Sequence, residues 1–131
     1  MDIQVAEDDL IVRVRIAFRP IRSAQLSEPT GPRGTETHPY VRCLYRAEDW
    51  ATNMHLMTGA VVLEPFVLYE ADAVFLDPGF ARERVTLGQR FEVFGRPDPL
   101  GRGEVLRPRS DLTLGVVPVG DGLDHFPAWT G

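Results

Sequence analysis

Lysine is absent from this 131-residue chain; all fourteen of its basic side chains are arginine. A phosphate loop of the G-x-x-x-x-G-K-[ST] kind needs that lysine, so triphosphate chemistry built on such a loop is excluded. Cysteine occurs once, as Cys43, which rules out an internal disulfide and points to a reducing, cytoplasmic setting. No run approaches the ~20 apolar residues of a membrane-spanning helix, so no membrane partner is expected. The opening MDIQVAEDDL carries four acids and no basic n-region, unlike a secretory signal. The sequence also lacks G-x-S-x-G, H-E-x-x-H, C-x-x-C, internal repeats and heptads. His38, His55 and His125 are far apart. The nearest thing to a ligand set, Asp121, Asp124 and His125, has no second histidine at metal-site spacing and reads as a solvated turn. Neither a metal nor a cofactor is expected.

Turn-forming residues are plentiful. Twelve glycines and eleven prolines favour β structure over a helical bundle. The length suits one domain, residues 1–131, with a barrel over 10–106 and a tail, 107–131, packed on it. Leu10 to Phe18 alternates, with Val12, Val14, Ile16 and Phe18 facing inward and Arg13 and Arg15 outward, as in a half-buried strand. Residues 19–39 form a long connection rich in proline, a place where contact surfaces are often found. Tyr40 to Tyr45 is a strand with Val41, Cys43 and Tyr45 on its core side. Ala47 to Ala51 suggests a single helical turn, and Met57 to Leu63 a further strand. Phe66 to Leu76 turns Val67, Tyr69, Ala71, Ala73 and Phe75 to one side, leaving Glu70 and Asp72 on the wet side. A Pro78-Gly79 break follows, then strands over Gln89 to Phe94 and Gly103 to Leu106. The tail offers an edge strand around Leu112 to Val117, limited by Pro118. The fold class is therefore all-β: a six-stranded antiparallel β-barrel with a long 19–39 loop and a C-terminal tail.

Charge is unevenly placed. Residues 1–12, 47–81 and 110–131 are acidic; 13–46 and 82–109 are basic; the net charge is −5. Blocks of this kind neutralise one another across neighbouring strands, or else build faces that orient a charged partner. Neutralisation is the favoured reading. The acidic balance argues against a general nucleic-acid binder.

The run Gly88-Gln89-Arg90-Phe91-Glu92-Val93, followed by Gly95, Gly101, Gly103 and Val105, resembles a G-x-R-F hairpin with a G-x-G-x-V return. Together with Thr58 to Leu63, Tyr69 to Asp77 and the weaker His38-Pro39-Tyr40, it is similar to the C-terminal, third β-barrel domain of elongation factor Tu, over about three quarters of the chain. The resemblance implies a stand-alone barrel without that family's GTP-binding domain and second barrel. In the family the third domain touches aminoacyl-tRNA and an exchange partner; neither role carries over to residues here.

No active-site constellation is visible. Cys43 lies mid-strand among apolar residues and reads as a core thiol rather than a nucleophile. Glu70 and Asp72, about 7 Å apart by strand rise, are expected to meet arginines of a neighbouring strand, such as those in 82–90, rather than to do acid–base work. Gly95 to Gly103 joins two strands and so makes a hairpin, not a phosphate cradle. Trp50 and Trp129 either anchor a partner or plug the barrel ends, and the plug is preferred. The expected function is thus a non-enzymatic, cytoplasmic protein-binding module, in the manner of an immunity or inhibitor protein that offers an acidic face to a basic site. Its contact residues would be Arg22, Arg33, Trp50, Glu70, Asp72 and Asp77. The alternatives are a binder of tRNA-like RNA through Arg13, Arg15, Arg42, Arg82 and Arg84, and a small enzyme with a site at the barrel mouth.

Overall fold

A computed structural model describes residues 10–19, 34–95 and 99–126. Seven strands run in chain order: β1 (Leu10–Phe18), β2 (Tyr40–Ala47), β3 (Trp50–Met57), β4 (Val67–Phe75), β5 (Arg90–Phe94), β6 (Pro99–Arg109) and β7 (Val117–Asp121). Two short helices, α1 (Pro78–Arg82) and α2 (Gly122–His125), complete the described elements. All pairings are antiparallel, in the spatial order β1-β6-β5-β2-β3-β4, and β4 returns to β1 to close a six-stranded barrel. β7 adds to the outside of the closure by pairing with residues 67–70 of β4, whereas β3 takes residues 72–75 of the same strand.

Period-two alternation drives the closure. Val12, Val14, Ile16 and Phe18 of β1 meet Tyr69, Ala71, Ala73 and Phe75 of β4 and Val41, Cys43 and Tyr45 of β2 in one buried cluster. Burying a side chain of this size stabilises by roughly 1.5–3 kcal/mol each. Small residues admit the close approaches: a Cβ on Gly103 would lie 2.6 Å from the Arg15 carbonyl oxygen and meet the Phe91 ring. Trp50 packs over one end of the cluster, stacked on Tyr45 and edge-on to Phe80, as a plug does. Trp129 lies outside the described residues.

Several expectations are corrected. No helical turn forms over Ala47 to Ala51: Ala47 pairs with Trp50 across a two-residue hairpin turn, with Glu48 at φ 54°. β3 accordingly occupies Trp50–Met57, and Met57 to Leu63 is not a strand; Gly59 turns the chain at φ 74° and Val61 and Val62 are exposed. Pro78-Gly79 does not merely break the chain; Asp77 caps α1 there, its carboxylate accepting from the Phe80 amide at 3.3 Å. The last barrel strand extends well beyond Gly103 to Leu106, and the tail strand begins at Val117 and includes Pro118. The second face of β4 is not wet. Leu68, Asp72 and Val74 are buried, because the tail crosses it and Leu112 packs with Ile11, Met57 and Val74.

Candidate binding surfaces

The strand register explains the charge blocks. Arg90, Glu104, Arg15 and Glu70 form one cross-strand row over β5, β6, β1 and β4. Arg46, Glu92 and Arg102 form a second, and Arg107, Arg13 and Asp72 a third. Opposite signs alternate in the first two, which sets unlike charges across from one another; within these rows Arg15 and Glu104 approach to 3.9 Å, while Arg46 and Arg90 make no ion pair among the described residues.

Under the tail this becomes a buried network. Arg13 donates from Nε to Glu70 Oε1 at 3.0 Å and from Nη1 to Asp72 Oδ1 at 3.1 Å. Arg107 Nη2 reaches Glu70 at 3.3 Å, and Arg109 Nε lies 3.6 Å from Asp72. Asp72 has no exposed surface, and its second oxygen accepts the Thr113 amide at 2.8 Å, tying the tail to the barrel. Hydrogen bonding from Arg13 holds the Glu70 carboxyl below its usual range, despite partial burial. Burial opposes the charge of Arg13, but its bonds to Glu70 and Asp72 outweigh that and raise its pKa. The two carboxylates meet arginines as expected, yet these come from β1 and β6, not from 82–90. The local sequence around 82–90 has the right charge; only the register decides which arginine arrives.

The remaining expected contact residues are dispersed. Arg22 and Arg33 lie outside the described residues. Glu70 and Asp72 are committed to arginines, Asp77 to α1, and Trp50 to Tyr45 and Phe80. Of the arginines considered for RNA, Arg13 is buried; Arg15 sits beside Glu104 at 3.9 Å; Arg42 is on β2, with β5 and β6 between it and β1. Arg84 lies over the Phe80 ring at 3.8 Å, beside Arg82 at the end of α1. The five do not form one patch. Cys43 is buried and its thiol is pushed up to about 12, the core thiol expected. His125 Nε2 lies 3.3 Å from Glu104, and Asp121 caps α2 by accepting the Leu123 amide at 2.7 Å. Among the described residues no group of three or more His, Cys, Asp or Glu could hold a metal, and no helix is long and apolar enough to cross a membrane.

Two depressions mark the outer wall made by β3, β2, β5 and β6. One, of about 470 Å³, is lined by Arg46, Glu48, Arg90, Glu92, Arg102 and Phe126, among others. The other, of about 370 Å³, involves Arg42, Leu44, Asn53 and Phe94. Arg46, Arg90 and Arg102 were not singled out in the sequence. The spacing in YVRCLYRA does put Arg42 and Arg46 on one strand face, but the neighbouring strands that complete the wall are known only from the register.

No protein-family model, curated protein or solved structure matches this chain.

Proposed function

We propose that the protein is a non-enzymatic binding module, a stand-alone barrel that meets a macromolecular partner through its outer surface. The observation that carries this reading is the character of the interior. It is filled with aliphatic and aromatic side chains, and the titratable groups reaching it include Cys43 and Tyr45, both with pKa values raised by burial. Neither supplies a nucleophile or base near neutral pH. Arg46 and Arg90, which line one of the depressions, are exposed, where a partner can reach them.

A protein partner was the leading expectation, with an inhibitor-like acidic face as its sharpest form. Of the acids that form would use, Glu70 and Asp72 are neutralised within the chain, while Glu48, Asp49, Glu64 and Asp77 are exposed. A partner would use surface other than Glu70 and Asp72. We further propose that the scaffold is of the elongation factor Tu third-domain kind; the closed six-stranded antiparallel barrel and the β5–β6 pairing from Arg90 to Glu104 support it. A cytoplasmic location belongs to the same proposal.

The test is capture from host lysate on the immobilised full chain, with and without nuclease. A stoichiometric partner, protein or nucleic acid, is expected. Failure to retain any macromolecule, together with turnover of a small molecule by the purified chain, would refute the module.

A further inference from the structure

We propose that the wall formed by β3, β2, β5 and β6 is a binding site for single-stranded nucleic acid, with arginines meeting phosphates and half-buried rings stacking on bases. This rests on the binding-module reading and gives that module a ligand class and a surface.

Charge and aromatic rings are interleaved on this wall. Arg42 lies across from His55, whose ring stacks on Tyr40 at 4.1 Å. The Arg46 guanidinium sits 5.5 Å from the centre of the Phe94 ring. Arg90 rests 6.0 Å from Phe126. Tyr40, His55 and Phe94 are partly exposed, so each offers ring surface to a base. Asn53, exposed between them and paired with Leu44, adds an amide that can both donate to and accept from a base edge. Strand-borne aromatics beside arginines are what sequence-tolerant stacking on unpaired bases needs.

The charges here are also available. Among the described residues Arg42, Arg46 and Arg90 form no ion pair, whereas Arg13, Arg107 and Arg109 on the other side are paired with Glu70 and Asp72. Arg42, Arg46, Arg90 and Arg102 line the two depressions with Glu48 and Glu92, a local concentration of arginine although Glu92 lies across from Arg46 and Arg102, and Glu104 across from Arg90. Desolvation, aided by Arg42, lowers the pKa of His55, which favours the neutral ring. Dimensions choose between ligands. Arg42 and Arg46 are four residues apart on one strand, about 13 Å, and Arg46 to Arg102 spans two strand spacings, about 10 Å. A mononucleotide cannot engage that span, and paired bases cannot stack on the rings.

The test is fluorescence anisotropy of a labelled oligouridine titrated with the full chain between about 50 and 200 mM salt. Saturable binding is expected, with a log–log salt slope of about −2 if Arg42, Arg46 and Arg90 each meet a phosphate. An Arg42→Ala, Arg46→Ala double variant should weaken binding and flatten the slope by about 1.4. Phe94→Leu should weaken it roughly tenfold with the slope unchanged, the signature of lost stacking rather than lost charge. Arg84→Ala, off the wall, should bind as the parent does. Thermal melting of each variant checks that the barrel persists. No association at the lowest salt overturns the proposal, as does equal competition by a duplex or by uridine monophosphate, or insensitivity to the wall variants. If lysate capture yields a nuclease-resistant protein while oligouridine fails, this site is refuted and the module stands; if oligouridine fails, lysate capture retains no macromolecule and the purified chain turns over a small molecule, both are refuted.

Discussion

Asp72 provides the most demanding test of how the fold is held. Its carboxylate has no exposed surface, receives Arg13 at 3.1 Å and accepts the Thr113 amide at 2.8 Å. Asp72→Ala leaves Arg13, whose side chain is only 10% exposed, with Glu70 alone, and strips the tail amide of its acceptor. Breaking a buried pair from one side costs about 3–5 kcal/mol, and retention of Glu70 places the expected loss near the lower end, about 3 kcal/mol. For a domain of this size that lowers the melting temperature by about 10 °C. The largest part of the cost arises from the stranded guanidinium, so the double variant Arg13→Met, Asp72→Leu, which still lacks the acceptor for Thr113, should be more stable than the single variant by about 1 kcal/mol or more. Urea unfolding followed by circular dichroism reads both. Amide exchange at Thr113 should rise in the single variant before global unfolding. A loss below about 1 kcal/mol in Asp72→Ala, or a double variant as unstable as the single, would refute the account.

Three further outcomes follow from the same geometry. Glu70 has a folded pKa below its ordinary 4.5, so its contribution is complete above about that pH and is lost as pH falls through the lowered value; the stability gap between parent and Glu70→Gln should therefore narrow under acid, as urea midpoints across pH would record. Cys43, buried with its thiol pushed up to about 12, should resist alkylation by iodoacetamide at neutral pH and react only after denaturation, as intact-mass spectrometry can follow. Gly103→Ala should destabilise by about 1–3 kcal/mol, because the added Cβ meets the Arg15 carbonyl and the Phe91 ring; a melting curve indistinguishable from the parent's would contradict it.

Much of the barrel was legible because its strands obey simple alternation. Leu10–Phe18 and Val67–Phe75 present their core faces as the period requires, and Arg90–Phe94 was bounded by Gly88 and Gly95. β3 was obscured for two reasons. Its inward set includes Thr52 with Met54 and Leu56, which weakens the apolar signal, and its turn places Glu48, not glycine, at positive φ. Gly59-Ala-Val-Val-Leu63 misled in the opposite sense, since a short apolar run carries no period of its own. The surface was less legible still. Residue types announced that Glu70 and Asp72 would meet arginines, but pairing depends on register, a long-range property, and so Arg13 and Arg107 replaced the arginines of 82–90. The same gap hid Arg46, Arg90 and Arg102, which become neighbours only when β2, β5 and β6 are laid side by side.

The divided edge of β4 has a bearing on how the chain tolerates shortening. Since β3 borders only residues 72–75, the hoop of six strands would survive loss of everything beyond residue 116, but the backbone of 67–70 would be left as a bare selvedge. A shortened product would then seek that missing hem in a sister molecule, by strand exchange or clumping. In the intact chain, β7 is the stitch that makes such self-association unnecessary.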